Sequence, residues 1–406
     1  MQNHSKVKCL IIYQMDPLGN KIGGIETFLK NFIKYSPNDF DIEFVGITSS
    51  KKERPVGRWQ KIELFGKRVK FFPVMYVRDE NTKTKIPLSL KFTISLWRYQ
   101  ARISLKDRIL EFHRIEPSIP FKTINNKKIL FVHGNMIDLY NPHTEVKWGK
   151  LPSLYFQMEK RLITQFNKIF VVREDGVSFY QKKYPLLADK FSFLPTWVDD
   201  EIFYPFKNNV EKQTKRLEFI KQNEFSPEDR LVLFVGRLEG QKDPLLLIDT
   251  FFYISRHLSK SRLLVVGTGS LRGKMEQRIK QYGINEKVHF FGALPQDKVA
   301  EIMRISDVFL LTSAFEGMPL SVLEALGCGL PVASTDAGEV RRVVKNEFSG
   351  LVTSERRPDM LGDAVLELLN NKPIFSIENC LSSVKDYKVR SVLQQVFQTH
   401  YNLVRQ

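Results

Sequence analysis

Residues 308–332 have the sequence VFLLTSAFEGMPLSVLEALGCGLPV. The segment begins with four apolar residues, Val308–Leu311, and such a run is typical of a parallel strand that is covered on both faces. Glu316 follows in a loop of the form Glu-Gly-x-Pro, and Ser321 is placed to cap the helix that contains Glu324. We therefore expect one carboxylate at the end of a strand and a second carboxylate one turn into the next helix.

The same alternation of apolar runs and amphipathic segments extends along most of the chain. Further apolar runs have the length of buried strands, and they occupy residues 9–13, 42–45, 129–132, 169–172, 231–235, 263–266 and 288–291. Helical spacing of apolar residues lies between them, over residues 25–33, 244–257, 271–282, 298–305 and 360–369. This alternation predicts α/β layers, in which ligands bind outside the carboxyl ends of the strands.

The chain of 406 residues is longer than one ordinary domain. A polar stretch, residues 207–230, interrupts the rhythm of strands before it starts again at Leu231. We therefore predict an N-terminal Rossmann-like domain over residues 1–200, a second Rossmann-like domain over residues 201–385, and a C-terminal helix within residues 386–406 that packs back on the first domain. The expected fold class is α/β, with two doubly wound domains that face each other across a cleft.

The charge of the chain is unevenly distributed. The formal net charge is +17, and residues 51–112 alone hold 16 Lys and Arg against 6 Asp and Glu, a local net charge of +10. The same stretch is rich in aromatic residues, including Trp59 and Trp97. Three interpretations stay open: an ordinary solvated surface, attraction to anionic lipid headgroups, and attraction to nucleic acid.

Cysteine usage and hydropathy indicate the compartment. Cys9, Cys328 and Cys380 are widely spaced, and their arrangement shows neither a disulfide framework nor a zinc motif, which fits a reducing cytosol. The N-terminal apolar run is too short for a signal peptide, and no stretch approaches the length of about 18 apolar residues that a transmembrane helix needs. We therefore expect a cytoplasmic protein, bound peripherally to the inner face of the cell membrane if it meets a membrane.

Two further loops that follow predicted strands carry groups suited to binding an anion. Gly23 and Gly24 precede a helix, so the backbone can approach a ligand closely and the start of the helix offers N–H groups. Arg237 and Lys242 lie in a loop that leads into a helix opened by Pro244, and two cations beside a helix start form a natural diphosphate-binding pair. A plain turn and two exposed cations are the alternative interpretations of these loops taken singly.

These motifs together resemble the large retaining glycosyltransferase family 4, which has the GT-B fold. Residues of this chain stand in order where that family has its first-loop glycine pair, its mid-domain histidine, its Gly-Arg-Leu-x3-Lys motif and its Glu-x7-Glu motif. They are Gly23, Gly24, His133, Arg237, Lys242, Glu316 and Glu324. Two departures are visible, since Thr196 and Trp197 replace the family's usual Asn-Gly and residues 337–339 replace part of its Gly-Gly-x-Pro-Glu motif.

The resemblance implies a role for each matching residue. Arg237 and Lys242 would neutralise the donor diphosphate, and the glycine pair would add backbone dipoles. Glu316 would hold hydroxyls of the donor sugar, Glu324 would accept hydrogen bonds from the ribose, and His133 would contact the sugar. His133, Arg237, Lys242 and Glu316 are thus the expected catalytic residues. The rest of the donor-binding loop would be Gly317, Met318, Leu320 and Ser321.

The resemblance also implies the reaction. We expect retaining transfer from a nucleotide-diphosphate sugar, with UDP as the expected nucleotide, to a glycan or polyprenol-linked acceptor in cell-surface polysaccharide biosynthesis. The N-terminal domain would bind the acceptor, and an anionic membrane surface is a further expected partner. The leaving phosphate would take the proton of the acceptor, so Glu316 would not be a covalent nucleophile. We expect no Asp-x-Asp metal motif in the chain, and because cationic side chains would neutralise the diphosphate, we expect neither a metal nor another cofactor.

Two other classes of protein were weighed against this interpretation. A Rossmann oxidoreductase needs a G-x-G-x-x-G motif after a strand and an acidic residue about 20 positions later. The glycines at positions 19, 23 and 24 do not have that spacing, and the segment after Val266 lacks the third glycine. A basic protein that binds nucleic acid agrees with the net charge, but the sequence shows no recognised nucleic-acid module, and we expect no nucleic-acid partner.

Overall fold

The computed structural model describes residues 6–19, 21, 23–80, 86–133, 152–371 and 374–405. These residues form two compact units. One unit extends to Pro195 and also includes the residues from Arg390 onward, and the other is Thr196–Val389. They are called here the N-terminal unit and the C-terminal unit.

The described residues of the N-terminal unit form a sheet of eight strands. The strands are β1 (Val7–Ile12), β2 (Phe40–Thr48), β3 (Gln60–Leu64), β4 (Lys67–Tyr76), β5 (Ile109–Phe112), β6 (Lys128–Val132), β7 (Lys168–Val171) and β8 (Phe191–Phe193). Their order across the sheet is β3-β4-β2-β1-β5-β6-β7-β8, and β3 is antiparallel to β4 while the other neighbours are parallel. All five residues of β6 are buried, as expected for a strand with both faces covered.

Helices connect these strands and supply an aromatic core. They are α1 (Gly24–Tyr35), α2 (Leu88–Tyr99), α3 (Pro152–Leu162) and α4 (Glu174–Lys183). The ring of Phe112 lies 5.8 Å from that of Phe121 and 5.9 Å from that of Phe166. Such aromatic pairs add stability beyond the area that they bury, which accounts for the abundance of Phe in this chain.

The described residues of the C-terminal unit form a sheet of six parallel strands. The strands are β9 (Arg230–Val235), β10 (Ser261–Val266), β11 (Val288–Gly292), β12 (Val308–Leu311), β13 (Val332–Thr335) and β14 (Gly350–Thr353). Their order is β11-β10-β9-β12-β13-β14, which is the Rossmann order 3-2-1-4-5-6. The strands β4-β2-β1-β5-β6-β7 repeat this order in the N-terminal unit.

Helices cover both faces of this second sheet. They are α5 (Asn209–Gln222), α6 (Pro244–His257), α7 (Arg272–Tyr282), α8 (Gln296–Ile305), α9 (Leu320–Gly327), α10 (Val340–Val343), α11 (Pro358–Asn370) and α12 (Ile377–Val384). The predicted helices over 244–257, 271–282, 298–305 and 360–369 are confirmed by α6, α7, α8 and α11. Within the part of the chain that the structure describes, no helix has both the length and the apolarity needed to cross a membrane.

Helix α5 differs from the expectation, because its residues belong to the stretch that we interpreted as polar and without a pattern. Asn208 caps this helix by accepting a hydrogen bond from the backbone N–H of Glu211 at 2.9 Å. Ile220 is the one buried residue of α5, so no apolar stripe marks the helix in the sequence. Arg216 holds it to the sheet through an ion pair with Asp307 at 2.8 Å.

The C-terminal helix α13 (Val389–Arg405) packs into the core of the N-terminal unit. It begins three residues after the predicted start at position 386, because a 3₁₀ turn, Lys385–Tyr387, precedes it. The ring of Phe397 lies 5.2 Å from Phe32 of α1 and 5.1 Å from Phe40 of β2. The end of the chain is therefore part of the first hydrophobic core.

The three cysteines, Cys9, Cys328 and Cys380, are buried free thiols. Burial raises the pKa of Cys328 and the pKa of Cys380 to about 12. Since the thiolate is the reactive form of cysteine, both side chains act as small apolar residues of the core.

Candidate active site

Two of the loops singled out in the sequence meet where the C-terminal sheet reverses its order. Strands β9 and β12 are neighbours, and later strands are added on opposite sides of this pair, which is the switch point where open α/β sheets bind ligands. Thr312 Oγ1 donates a hydrogen bond to the carbonyl of Lys242 at 2.9 Å. The N–H of Ala314 donates to the carbonyl of Gln241 at 2.8 Å. The loops after β9 and β12 therefore form one hydrogen-bonded edge.

Lys242 lies near the end of the first of these loops, two residues before α6 begins at Pro244. Asp243 has a left-handed backbone with φ of 43° and caps α6 by accepting from the N–H of Leu246 at 3.2 Å, with Pro244 as the first helical residue. This turn directs the Lys242 side chain to the second loop, where its Nζ lies 2.5 Å from Glu316 Oε1. The structure thus brings together a cation and a carboxylate that are 74 positions apart.

Arg237 lies on the exposed side of the same loop. Its Nη2 donates a hydrogen bond to Gln241 Oε1 at 3.0 Å, and Gln241 Nε2 donates to the carbonyl of Phe315 at 3.3 Å. The loop after β10 approaches closely at Gly267, whose φ is 138° and where a Cβ would lie 1.9 Å from the carbonyl oxygen of Gly236. Gly267 therefore accommodates the backbone immediately before Arg237.

Glu316 is buried and is held by side chains on both sides. Ser313 Oγ donates to Glu316 Oε1 at 2.7 Å, in addition to the Lys242 contact. The backbone of Ser313 is fixed in turn, because Thr335 Oγ1 donates to its carbonyl at 2.7 Å. The resulting carboxylate has a defined position at the end of β12 and charged and neutral donors around it.

The loop from Glu316 to α9 packs against the segment that follows β13. Gly338 has φ of 61°, and a Cβ at this position would lie 2.3 Å from the carbonyl oxygens of Glu316 and Gly317. The N–H of Glu339 donates to the Gly317 carbonyl at 3.0 Å. Met318 is buried in the core of the unit, so its side chain anchors the loop.

The predicted capping role of Ser321 is wrong. Helix α9 begins at Leu320, and the residue before it, Pro319, makes no side-chain capping hydrogen bond. Ser321 lies inside the first turn and not before it, so its hydroxyl cannot reach the capping position. Its Oγ is buried and has no hydrogen-bond partner among the described residues, which leaves a polar group at the site to pair with a ligand.

Glu324 lies one turn into α9, as predicted from the spacing. Burial raises its pKa to about 7, although the charge of Lys242 acts in the opposite direction. Glu316 and Glu324 are therefore chemically distinct: Glu316 has close cationic and hydroxyl partners, whereas burial disfavours the ionised form of Glu324.

In the N-terminal unit, Gly23 and Gly24 lie at the start of α1, with Gly23 as the capping residue. A Cβ at Gly23 would lie 2.3 Å from Glu26 Oε2, so the missing side chain makes room for this carboxylate. Glu26 is buried, pairs with Lys21 Nζ at 2.7 Å and accepts from the Tyr13 hydroxyl at 3.3 Å. Glu26 stabilises the positive end of α1, and the sequence analysis did not identify it.

His133 directly follows β6 and is partly buried. Its Nε2 lies 2.8 Å from Nδ1 of His113, the residue that follows β5. The ring of Phe28 on α1 packs edge-on against His133 with centroids 5.0 Å apart. Burial, together with His113 and Arg114, lowers the pKa of His133 well below its ordinary value, so the imidazole is neutral.

A second group of titratable side chains lies beneath His113. Cys9, Glu111 and His400 are buried, and their ligand-type atoms all lie within 4.8 Å of one another. Burial alone would raise the pKa of Glu111, but His400 and His113 outweigh this effect and lower it to about 2. Burial and Glu111 raise the pKa of the Cys9 thiol, so the thiol stays protonated, and its Sγ lies 3.9 Å from His400 Nε2.

The prediction that the chain has no Asp-x-Asp motif is wrong, because Asp39 and Asp41 form one such pair. Asp39 and Asp41 lie at the start of β2, at the opposite end of the strand from the ligand-binding edge. Asp39 Oδ1 accepts a hydrogen bond from the Tyr401 hydroxyl at 2.8 Å, and Asp41 lies 3.7 Å from Lys70 Nζ. Their partners give this pair a structural role at the base of the sheet.

The basic and aromatic stretch of residues 51–112 is divided between core and surface. Phe71, Phe72 and Phe92 are buried, whereas Trp97 is 61% exposed. On α2, Leu90 and Ile94 are exposed along with Trp97, and these three positions lie on one face of the helix. We call Leu90, Ile94 and Trp97 the α2 stripe.

The predicted site residues thus fall into two groups, one in each unit. The functional contacts that the sequence analysis missed involve Gln241 and Ser313 in the C-terminal unit, and Glu26, Glu111 and His113 in the N-terminal unit. His113 comes immediately after strand β5, and Ser313 is the second residue after strand β12. The rule that ligands bind at the carboxyl ends of parallel strands could have identified them, whereas no local pattern points to Glu111.

Comparison with known proteins agrees with the motifs. Residues 215–380 match the family model described as glycosyl transferases group 1. Over 198 residues, the chain is 31% identical to the UDP-Gal:alpha-D-GlcNAc-diphosphoundecaprenol alpha-1,3-galactosyltransferase of Escherichia coli, and this alignment covers 48% of the chain and 49% of that protein. The chain spans about half the length of the curated relatives it matches.

Solved structures resemble the chain over almost its whole length. Sucrose-phosphate synthase from Thermosynechococcus elongatus has a TM-score of 0.78, 16% sequence identity, and coverage of 98% of this chain and 99% of that chain. The Anabaena protein HepE, solved with UDP and glucose, has a TM-score of 0.70, 15% identity and coverage of 98% and 99%. These likenesses concern the fold, and with the two sheets described above they confirm the predicted GT-B class of two Rossmann-like domains.

Proposed function

We propose that this protein is a retaining glycosyltransferase that moves a sugar from a UDP-sugar to a lipid-linked glycan acceptor in cell-surface polysaccharide synthesis. The observation that carries the proposal is the pairing of Lys242 with Glu316, 2.5 Å apart at the switch point of the C-terminal sheet. A nucleotide-sugar has a diphosphate next to a polyhydroxylated ring. A cation can bind the diphosphate, and a carboxylate beside it can accept hydrogen bonds from the hydroxyls of the neighbouring ring.

The comparisons support the substrate classes. The E. coli relative is named for a UDP-Gal donor and a diphosphoundecaprenol-linked acceptor, and the structure of HepE contains UDP and glucose. In this chain Arg237 and Lys242 would bind the diphosphate, Glu316 the sugar hydroxyls and Glu324 the ribose hydroxyls. The buried hydroxyl of Ser321 and the first N–H groups of α9 would supply neutral donors.

The reaction would be driven by stabilisation of the leaving diphosphate. As the bond from the anomeric carbon to the phosphate oxygen breaks, negative charge grows on the β-phosphate, and fixed cations stabilise it. The acceptor oxygen would bond to the same face of the anomeric carbon, and its proton would pass to the departing phosphate oxygen. Glu316 is engaged by Lys242 and Ser313, which suits a group that binds sugar and not a covalent nucleophile.

We further propose that Arg237 and Lys242 make a divalent metal unnecessary for this reaction. Transfer should continue in a chelator after the preparation has been freed of metal and its metal content measured. Loss of transfer on chelation, with recovery on addition of Mg²⁺, would contradict this part of the proposal.

The function is tested by transfer from labelled UDP-sugars to a synthetic polyprenyl-diphosphate-linked sugar. The wild type should transfer at least one UDP-sugar with retention of anomeric configuration. Glu316→Gln should lower kcat by about 100-fold or more, the cost of removing a preorganised polar group from such a site, while UDP still binds. Glu355→Gln, an exposed carboxylate of the same unit, is the matched control and should keep wild-type activity. An inverted product, or equal activity of Glu316→Gln, would refute the assignment.

We propose that the α2 stripe docks the protein on an anionic membrane on its cytoplasmic side. The opposite face of α2, with Phe92 and Leu96, is buried in the core, so exposure of Trp97 at 61% and Ile94 at 60% is not required by folding. An exposed apolar row on a surface helix marks an interaction site. Trp is the residue type that prefers the interface between lipid and water.

Charge complementarity selects an anionic bilayer as the occupant of this surface. Residues 86–106 contain four Lys and Arg and no Asp or Glu. Lys91 and Arg98 follow Leu90 and Trp97 by one position, so a basic row lies beside the apolar row. Basic residues flanking an apolar helix face bind anionic headgroups, with about 1 kcal/mol from each cation near the surface.

Vesicle flotation tests this surface. The wild type should float with vesicles that contain phosphatidylglycerol, and much less with pure phosphatidylcholine or at high salt. The double variant Ile94→Ser with Trp97→Ser should lose flotation. Leu186→Ser is the matched control, because Leu186 is 97% exposed elsewhere in the same unit. Equal flotation with both vesicle types would contradict the proposal, and so would vesicle-independent self-association that the double variant abolishes.

A further inference from the structure

Cys9, Glu111 and His400 form a closed group in the core of the N-terminal unit. They lie on β1, β5 and α13, and all three are completely buried. Strands β1 and β5 pair so that Ile11 stands opposite Glu111, and Cys9, two positions before Ile11, points to the same face of the sheet. The ligand-type atoms of the three side chains all lie within 4.8 Å of one another.

The polar atoms of this group are poorly satisfied by the protein itself. Neither carboxylate oxygen of Glu111 has a hydrogen-bond partner among the described residues, although His400 Nε2 lies against Oε1. Cys9 Sγ and His400 Nε2 make a long contact of 3.9 Å. A buried carboxylate needs a paired charge or a bound metal. The group therefore offers sulfur, nitrogen and oxygen atoms to a cation at its centre.

The orientation of His400 suits a metal ligand. Its Nδ1 lies 2.8 Å from the carbonyl oxygen of Val396, one turn earlier in α13. A carbonyl can only accept, so Nδ1 carries hydrogen, and in the neutral ring Nε2 is a lone pair. This nitrogen faces Cys9 Sγ and Glu111 Oε1. Histidines that bind metals are held in the same way, by a hydrogen bond from the ring nitrogen that does not contact the metal.

We propose that Cys9, Glu111 and His400 bind one Zn²⁺ ion that holds α13 to the sheet of the N-terminal unit. A thiolate, an imidazole nitrogen and a carboxylate are ligands that zinc takes in proteins. Zinc displaces the proton of the Cys9 thiol, and this proton leaves to solvent. The thiolate and the carboxylate then balance the charge of the ion, and the second oxygen of Glu111 is available for the fourth position.

The distances fit a tetrahedral ion after small movements of the side chains. Ligand atoms at about 2.0–2.3 Å from zinc lie about 3.3–3.7 Å from one another in a tetrahedron. The Cys9–His400 separation of 3.9 Å is close to this range, whereas the Glu111–His400 contact is shorter and has to open. Rotation about the last side-chain bond of Glu111 provides this opening, because that torsion has a broad range of allowed angles.

The surroundings of the group favour a structural ion. The ring centroids of Phe32 and Phe40 lie 5.9 Å and 5.5 Å from that of His400, and such an apolar shell strengthens the attraction between a cation and its charged ligands. The ligands come from positions 9, 111 and 400, so no spacing typical of a zinc motif marks them in the sequence. The proposed diphosphate-binding residues lie in the C-terminal unit, so this ion is separate from the proposed reaction.

Metal binding is measured on the full chain after metal has been removed by chelation. The metal-free protein should stay folded at room temperature, because the direct Glu111–His400 contact and the aromatic packing of α13 remain. Added Zn²⁺ should bind at one ion per chain and raise Tm by mass action. Cys9→Ala should weaken zinc binding by about 100-fold or more and lose the rise in Tm. Cys380→Ala removes another completely buried thiol and is the matched control, with wild-type zinc binding.

Cobalt identifies the thiolate ligand independently of the Cys9→Ala variant. Co²⁺ accepts the ligands of a zinc site, and a thiolate bound to it produces a charge-transfer absorption band. This band should appear when Co²⁺ is added to the metal-free wild type. It should persist in the double variant Cys328→Ala with Cys380→Ala, in which Cys9 is the remaining cysteine.

Three results would overturn the inference. They are a wild type whose Tm does not respond to Zn²⁺, equal zinc affinity of the wild type and Cys9→Ala, and loss of the cobalt band in the double variant. Transfer below Tm should proceed at the same rate with and without zinc. Zinc binding in a protein that transfers no sugar would refute the proposed function and support the metal site, so the two failures are distinguishable.

Discussion

Glu324 illustrates how burial and ligand binding compete at a single residue. Burial raises its pKa to about 7 against the opposing charge of Lys242. Close to neutral pH, roughly half of the molecules therefore carry a protonated Glu324, whereas the proposed ribose contact needs an acceptor. Ionisation of Glu324 and binding of the nucleotide should be thermodynamically linked.

This linkage predicts that the affinity for UDP rises with pH. Between about pH 6 and about pH 8 the ionised fraction of Glu324 increases from roughly 10% to roughly 90%, so the affinity should increase by up to about ninefold. Calorimetric titration at several pH values measures this change. Glu324→Gln should lose this part of the pH dependence. The ratio of wild-type to variant affinity removes the titration of UDP itself, and a ratio that does not change with pH would contradict the prediction.

For individual residues, the sequence predicted which side chains belong to the candidate site better than it predicted the contacts between those side chains. The spacing of Glu316 and Glu324 and the position of Lys242 before α6 follow from local chain geometry. The Lys242–Glu316 contact joins residues 74 positions apart, and the His400–Glu111 contact joins residues that are even farther apart in the sequence. Periodicity carries no information about such pairs, because they depend on the order of strands in the sheet. Ser321 shows the opposite error, since a local rule suggested a cap that the actual start of α9 excludes.

Among the elements, the loop between β12 and α9 depends on the tight packing of Gly338. A Cβ there would meet two carbonyl oxygens at 2.3 Å, and the φ of 61° disfavours any other residue. Gly338→Ala should destabilise the protein by about 2 kcal/mol or more and displace Glu316, lowering transfer as well. Denaturant unfolding and kcat are the measurements.

Gly273→Ala is the matched control for that substitution. Gly273 lies in the first turn of α7 with open space around its Cβ position. Alanine there should leave stability unchanged or raise it by about 0.5–1 kcal/mol, with wild-type transfer. If Gly338→Ala were as stable and as active as Gly273→Ala, the close contact between Gly338 and the Glu316–Gly317 loop would not contribute to the stability of the protein.

Uniform apolar character made some elements predictable, and two of the elements that were missed have identifiable reasons. Strand β12 is buried at all four positions and was predicted with its observed bounds. Strand β5 was missed because Glu111 interrupts its apolar run, and that charge is compensated by His400 from the other end of the chain. Helix α5 was missed because capping and ion pairs stabilise it without an apolar stripe.

For the whole molecule, the Glu111–His400 pair ties the last helix to the first sheet. Burial would raise the pKa of Glu111, yet His400 and His113 lower it to about 2. A lowered pKa means that the folded state favours the carboxylate. Its contribution to stability is therefore present above the ordinary carboxyl pKa of about 4.5 and is lost as the pH falls toward 2.

Removing one partner of this pair should cost more than removing both. His400→Leu leaves an uncompensated buried carboxylate and should destabilise the N-terminal unit by about 3–5 kcal/mol. The double variant Glu111→Met with His400→Leu should recover most of that loss, and its stability should depend less on pH below about 4.5. Urea unfolding monitored at several pH values measures both effects. A single variant as stable as the wild type would contradict the assignment of a buried ion pair.

The overall fold was predictable because both sheets repeat one strand order, and each repeat leaves an apolar run in the sequence. Strands β9 and β12 lie on either side of the switch point in the C-terminal unit. The loop after β9 contains the predicted cations Arg237 and Lys242, and the loop after β12 contains the predicted carboxylate Glu316. What the sequence could not provide is the chemistry of the acceptor, because the N-terminal unit shows no motif that identifies the side chains that would bind it.

We propose that the C-terminal unit binds a nucleoside diphosphate and its sugar through Arg237, Lys242 and Glu316. A thermal-shift panel of nucleoside diphosphates and nucleotide-sugars tests it most directly, since a ligand at about 100 times its Kd stabilises the folded state by about 2.7 kcal/mol. UDP should raise Tm in the wild type and in Glu316→Gln, but not in the double variant Arg237→Gln with Lys242→Gln. One UDP-sugar should raise Tm further in the wild type, and Glu316→Gln should lose this further rise. A panel in which no nucleotide raises Tm, or in which the double variant responds like the wild type, would contradict it.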